Sequence, residues 1–174
     1  GSSGAGKTTL VDLILGLIRP QQGSILIDGV SIDGNNLSSW QKNLGYVPQN
    51  NLLFDDTIAS NIAFWVSKDN FDIAQVISSA KIAQIHDFIM NDLPNGYDTT
   101  IGEQGIRLSA GQKQRIGIAR ALYQKPSILV LDEATNTLDN ITEKKFLKAL
   151  HDLDQEMTII SVAHRISTVK HCDE

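Results

Sequence analysis

The apolar positions of this chain fall into two textures. Short unbroken runs occur at Leu44 to Val47, Ile128 to Leu131 and Thr158 to Ala163. They are too short for helices and too continuous for strands with one wet face, so they predict strands buried on both faces of a parallel sheet. Longer stretches carry helical spacing: Lys7 to Ile18, Ala110 to Gln124 and Ile141 to Leu153. Strands and helices in this alternation predict an α/β fold, a mainly parallel sheet flanked by helices. Between Asn50 and Gln112 the texture changes. Thr57 to Phe64, Asp72 to Ala80 and Ile82 to Met90 have helical periodicity without a strand signal, which predicts an inserted helical subdomain. Ser24 to Gly29 reads as a strand running into a turn.

This pattern places polar groups at the ends of strands. Gln49 follows Leu44 to Val47 through Pro48, Asp132 and Glu133 follow Ile128 to Leu131, and His164 follows the run ending at Ala163. Ligands of open α/β sheets bind beyond the carboxyl ends of the strands, so all four residues are expected at one edge. Ahead of the first helix, Gly1-Ser2-Ser3-Gly4-Ala5-Gly6-Lys7-Thr8 satisfies the G-x-x-x-x-G-K-[ST] pattern and is followed by Thr9. Its glycines let successive N–H groups curl around phosphate oxygens, and the helix behind it points the positive end of its dipole at the anion. Lys7 adds a mobile positive charge. Thr8 can offer a hydroxyl to Mg²⁺, with the Asp132 carboxylate and the Gln49 amide as further oxygen donors. Glu133 can polarise an attacking water, a role typically worth about 10² to 10⁴ in rate, and His164 can hydrogen-bond a terminal phosphate.

A third element, Leu108-Ser109-Ala110-Gly111-Gln112, has the spacing of a capping box, with Ser109 as N-cap and Gln112 three residues later. It opens the helix through Ile116, Ala119 and Leu122. A capped helix start is also an anion site.

Composition narrows the picture. The 174 residues carry a net charge of −5, with no basic stripe, so no nucleic-acid partner is expected. Lys144-Lys145 and Lys113 to Arg120 read as solvated helix faces. The single cysteine, Cys172, excludes an internal disulfide framework and reads as a bystander. No apolar run approaches the roughly 20 residues that span a bilayer.

With these motifs in this order, the chain resembles the nucleotide-binding domain of an ATP-binding cassette (ABC) protein along its whole length. The resemblance implies a P-loop NTPase fold that binds ATP and Mg²⁺. It identifies Gly1 to Thr8 as the Walker A loop, Gln49 as the Q-loop glutamine, Leu108 to Gln112 as the signature and Ile128 to Asp132 as Walker B. It further implies that Glu133 is the catalytic carboxylate, Asn136 to Asp139 the D-loop, with Asp139 in the nucleotide site, and His164 the switch histidine. Lys7, Glu133 and His164 are then the catalytic set, and Thr8, Gln49 and Asp132 the metal set. Two positions depart from the common pattern: Ala110 stands where glycine is usual, and Asn136-Thr137 where serine and alanine are frequent.

The same resemblance implies one domain that is incomplete here, its N-terminal and C-terminal strands truncated. Residues 1–49 and 113–174 would form the catalytic core and residues 50–112 the helical subdomain. Glu103 in Gly102-Glu103-Gln104-Gly105, with Tyr46 to Gln49, Leu53-Phe54-Asp55 and Leu93 to Asp98, resembles the exporter type. That implies ATP hydrolysis at a dimer with a second nucleotide-binding domain, expected to be an identical copy. It also implies a transmembrane domain, fused upstream or on a separate subunit, and a place on the cytoplasmic face of a bacterial inner membrane. The work done would be export or flipping of a substrate. The rival class, a soluble ABC ATPase acting on ribosomes or DNA, is disfavoured by the short stretch between Gln49 and Leu108, which has no room for a long coiled coil.

Overall fold

The computed structural model describes residues 5–64, 66–67, 70–102, 106–153 and 157–162. In chain order its elements begin with α1 (Lys7–Ile14), β1 (Leu26–Ile27), β2 (Val30–Ser31), α2 (Leu37–Lys42) and β3 (Leu44–Val47). A second group follows: β4 (Asp56–Thr57), α3 (Ile58–Ile62), α4 (Ile73–Ile82), α5 (His86–Asp92), a 3₁₀ turn at Gly96–Asp98 and β5 (Thr100–Ile101). The chain continues through α6 (Ala110–Tyr123), β6 (Ile128–Asp132), α7 (Asn140–His151) and β7 (Thr158–Val162).

The expected parallel sheet is present. Its order is β3-β6-β7, with Val47 opposite Leu131 and Asp132 opposite Val162. β6 is the central strand, and its alternation divides the core. Leu129 and Leu131 join the larger cluster with Ile116, Ile118 and Phe146, whereas Val130 packs on Val11 of α1 and on Leu15 just beyond it. Helices thus cover both faces, which is what makes the β6 run continuously apolar. The expectation of two buried faces fails for β7. Thr158 and Ile159 are exposed there and Ile160 to Val162 half-buried, because among the described residues β7 pairs only with β6.

Gly45 lets α6 and β3 meet. A Cβ at this position would lie 2.8 Å from the Ala121 carbonyl oxygen and 2.8 Å from Pro126 Cγ, so only a bare backbone fits.

Other differences from expectation have local causes. α1 ends at Ile14 rather than Ile18, because Gly16 turns left-handed at φ 68°. The N–H of Leu17 then bonds the Asp12 carbonyl at 2.9 Å and that of Gly16 the Leu13 carbonyl at 3.0 Å, the two bonds of a Schellman stop. The strand before Asp28-Gly29 is one arm of a hairpin with Val30–Ser31, its two loop residues at φ 50° and 79° as a type I′ turn requires. The expected helix from Ile82 to Met90 is broken at Gln84, φ 58°, so α4 and α5 are separate. The 50–112 region also contains a small antiparallel pair, β4 with β5.

The reading of Lys113 to Arg120 as a solvated face holds for Lys113, which is exposed, and is overturned from Gln114 onward. Gln114 and Ile116 to Ala119 are buried, and Arg120 is half-buried. Helices α3 and α4 and strand β3 pack around α6, and few of its faces reach solvent. Lys144 and Lys145 on α7 are exposed as expected.

Candidate functional site

Gly1, Ser2, Ser3, Gly4, Glu103, Ala163, His164 and Cys172 lie outside the described residues. From Ala5 onward the phosphate-loop motif is visible as the entry to α1. Gly6 is the N-cap residue at φ 82°, and no side chain caps the helix. The first-turn N–H groups, those of Lys7, Thr8 and Thr9, therefore have the polarity and orientation that favour an anion. Thr8 and Thr9 are exposed and Lys7 half-buried.

Strand β3 and its neighbour β6 then deliver two further groups side by side. The Gln49 Nε2 donates to Glu133 Oε2 at 2.9 Å, so the residue after Pro48 and the residue after Asp132 meet across the sheet edge. This follows from register: Val47 is paired with Leu131, and each chain runs two residues further. Glu133 leaves the strand in a left-handed conformation, φ 52°, and its N–H donates to the Val162 carbonyl at 2.9 Å. A non-glycine residue at positive φ is uncommon and costs free energy, which the paired strands on either side sustain.

Asp132 shares a face of β6 with Val130, two residues back. That is the α1 face, and the electrostatics show it. Burial raises the Asp132 pKa above the usual carboxylate value, and the charges of Glu133 and Asp12 raise it further. Lys7 and a hydrogen bond from the Tyr46 hydroxyl act in the opposite direction. Tyr46, opposite Val130 in register, has its own pKa raised, first by burial and then by Asp132 and Asp12. The site thus concentrates negative charge next to one lysine, a setting that attracts a cation.

The donor set fits Mg²⁺. A hydroxyl, an amide oxygen and one carboxylate are hard oxygen ligands, and this ion is commonly held by one or two carboxylates together with substrate phosphates. Among the described residues, no group of three His, Cys, Asp or Glu side chains is placed to hold a metal unaided. An ion here would be completed by a ligand that carries its own oxygens.

The signature segment forms a second cluster. Ser109 caps α6: its Oγ accepts from the Gln112 N–H at 3.3 Å, and the Gln112 Oε1 accepts from the Ser109 N–H at 2.7 Å. Ser109 and Ala110 are exposed; Gly111 and Gln112 are half-buried. A Cβ at Gly111 would come 3.1 Å from the Thr137 carbonyl oxygen, so the helix start lies against the loop that follows Glu133. Asp139, at the far end of that loop, caps α7. Its Oδ1 accepts from the N–H groups of Ile141 and Thr142 at 3.0 Å each, and its Oδ2 from the Thr142 hydroxyl at 2.7 Å. These bonds lower its pKa, the Thr142 hydroxyl most.

Two residues behind the site, Gln114 and Arg120, escaped sequence reasoning, and a third, Asn136, was placed in the D-loop without a contact of its own. Gln114, buried on α6, accepts from the Asn51 Nδ2 at 2.9 Å and donates to the Pro48 carbonyl at 3.3 Å, gripping the chain on both sides of Gln49. Arg120 donates to the carbonyls of Asn61 at 2.8 Å and Leu52 at 2.9 Å, and to the Asn61 Oδ1 at 3.1 Å. Its guanidinium lies 4.8 Å from the Phe64 ring centre and 5.8 Å from that of Phe54, the two rings being stacked at 4.7 Å. Asn136 donates to Glu133 Oε2 at 3.0 Å. The one legible signal was a polar residue recurring inside an otherwise apolar helical pattern, which fits Gln114 and Arg120.

Comparison with known proteins agrees with this geometry. The ABC transporter family matches residues 1–136. The ATP-dependent lipid A-core flippase of Saccharophagus degradans is 50% identical over 173 residues, which is 99% of this chain and 29% of the flippase. ABC transporter B family member 29, chloroplastic, of Arabidopsis thaliana is 48% identical over 169 residues, 97% of this chain and 26% of that protein. A bacterial Atm1-family ABC exporter solved with ATP bound superimposes with a TM-score of 0.90 at 46% identity, covering 99% of this chain and 30% of the exporter chain. The chain thus spans under a third of the length of these relatives, and no helix among its described residues is long and apolar enough to cross a membrane. On motif order, fold and similarity together, the chain belongs to the ABC transporter family.

Proposed function

We propose that this chain is the ATP-hydrolysing part of an exporter or flippase, acting as one of a pair of nucleotide-binding domains. The observation that carries this reading is the Gln49–Glu133 hydrogen bond beside Asp132 and Lys7. It sets a carboxylate, an amide and a cation at the mouth of a phosphate-loop helix. In this reading the Walker A residues Gly1 to Thr8, with Thr9, hold the triphosphate. Lys7 stabilises charge developing on the transferred phosphoryl group, and Glu133 orients water for in-line attack. His164 supports the terminal phosphate. Thr8, Gln49 and Asp132 would hold Mg²⁺, which when bound neutralises phosphate charge.

The signature residues Ser109, Ala110, Gly111 and Gln112, with Asp139, would meet the nucleotide held by a second copy of the domain. The exposure of Ser109 and Ala110 at a capped helix start supports this, since a helix end whose N–H groups face outward suits an incoming phosphate. Binding of two ATP molecules then closes the pair and hydrolysis releases it, a population shift set by the differential affinity of ATP for the closed state. Residues 1–49 and 113–174 would move as the catalytic core, and residues 50–112 as the helical part that meets a transmembrane domain. A cleft of about 710 Å³ lined by Asn51, Leu52, Asp55, Gly102, Arg107 and Lys113, among others, supports this route. The lipid A-core flippase relatives favour a lipid cargo and a membrane-bound whole, and the proposal puts this chain on the cytoplasmic face of a bacterial inner membrane.

The test is Glu133→Gln in the full-length protein. ATP binding should persist while turnover falls by at least 10²-fold and a closed dimer accumulates. Undiminished phosphate release would sink the reading.

A further inference from the structure

Asn136 stands where the family commonly has serine, and the structure gives its longer side chain a task. The loop after β6 folds back on itself: the Asn136 N–H donates to the Glu133 carbonyl at 3.2 Å and the Leu138 N–H to the Thr135 carbonyl at 3.0 Å. Ala134, Thr135 and Leu138 anchor these turns, all buried at 4% exposure or less. The turn therefore has little freedom, and it carries the Asn136 amide back over the Glu133 side chain. There the Nδ2 donates to Oε2 at 3.0 Å, to the same oxygen that accepts from Gln49 at 2.9 Å.

We propose that Asn136 is a positioning residue for Glu133, holding from a separate loop the same carboxylate oxygen that Gln49 holds. The proposal rests on the reading of Glu133 as the group that orients water. The physical case is rotational. A glutamate on a left-handed residue at a strand end has three side-chain torsions to fix, and one hydrogen bond leaves the carboxylate able to swing about its partner. Two donors from separate loops hold its Oε2 in place. One donor sits on the Gln49 loop, which α6 grips through Gln114. The other sits on the loop whose next residue, Thr137, presents its carbonyl to Gly111 at the signature. Each anchor is thus tied to a different part of the nucleotide-binding surface, so the Glu133 orientation depends on both loops.

The experiment compares full-length Asn136→Ala and Asn136→Asp by steady-state ATPase over a range of ATP concentrations. Both should lower kcat about tenfold or more with KM for ATP within about twofold, since the ground-state phosphate contacts are untouched. Asn136→Asp keeps the shape and removes the donor. Wild-type kcat in that variant, with loss only in Asn136→Ala, would mean that Asn136 merely fills space and would overturn the proposal. Asn136→Ala added to Glu133→Gln should produce no further loss of residual turnover, whereas an additional tenfold fall would mean that it acts elsewhere. If Glu133→Gln itself turns over normally, the reading of Glu133 fails. If Glu133→Gln is inactive and both Asn136 variants match wild type, only the present inference fails.

Discussion

The two ends of α6 share one helix and obey different rules. Its first turn, Ser109 to Gln112, is exposed or half-buried and held by a reciprocal cap of two hydrogen bonds. Its second half, from Ile116 to Tyr123, is buried apart from Arg120, which is half-buried and makes three hydrogen bonds. The difference separates two tasks. The buried half fixes where the helix lies, and the capped end presents a surface that, on the proposed function, meets the nucleotide of a second copy. A substitution in the first should cost the fold and only indirectly the activity; in the second, the order should reverse.

Arg120→Ala is the strongest way to break that contrast. It orphans the carbonyls of Leu52 and Asn61 and removes a guanidinium from beside two stacked rings, at a cost of about 3 kcal/mol in all. In the full-length protein the unfolding midpoint of the nucleotide-binding part should drop by roughly 6 to 12 °C. Lys at 120 should recover only a minority of this, because a single ammonium cannot serve three oxygens and stack on a ring. A midpoint unchanged by Arg120→Ala would show that α6 is located by its apolar face alone.

Gly45→Ala comes next. The added methyl would press on the Ala121 carbonyl and Pro126, backbone and ring, and neither can rotate away. Overpacking of this kind costs about 1 to 3 kcal/mol and would push the C-terminal end of α6 off the sheet. Thermal unfolding reads this directly, and a neutral result would mean the sheet yields more easily than its central position suggests.

How much of this was readable in advance follows from the range over which each feature is determined. The strands Leu44 to Val47 and Ile128 to Leu131 were legible because burial on both faces writes itself as an unbroken apolar run. The Ser109–Gln112 cap was legible because both partners lie within one turn. Gly16 carried a visible stop signal, yet Leu17 and Ile18 prolong the apolar period and hide it. Arg120 was misread as solvated because its partners, Leu52 and Asn61, are distant in sequence and no local pattern points to them. The pairing of Asp56–Thr57 with Thr100–Ile101 has two residues per strand, too few for any period to register. At the site, register made Gln49 and Glu133 neighbours and was inferable; Asn136 needed the fold of its turn.

Ser109 sharpens the contrast at the other end of α6. Ser109→Ala removes one capping acceptor and should cost about 1 kcal/mol of stability. Ser109→Asp keeps a good N-cap, so stability should return to near wild type. Turnover should not return, because a carboxylate there would face the phosphate of a second subunit. Equal recovery of stability and ATPase activity in Ser109→Asp would mean that the segment acts only as a helix start.

The smallest effect comes from comparing this neutral cap with the charged one at α7. Asp139 is exposed, and its three accepted hydrogen bonds hold its pKa below the usual carboxylate value in the folded protein. The sign follows from linkage: the folded state binds the proton less tightly than the unfolded chain, so the cap stabilises above the unfolded value of roughly 3.9. That contribution fades as pH falls from there through the depressed folded value. Asp139→Asn keeps a capping oxygen without a titrating proton. The difference in unfolding midpoint between wild type and Asp139→Asn should therefore be constant from about pH 7 to 5 and shift against wild type below about pH 4. Ser109→Ala should show no such pH-dependent difference, since its cap carries no charge. Parallel curves for Asp139→Asn and wild type down to acid unfolding would mean that the α7 cap, like that of α6, works through its geometry and not its charge.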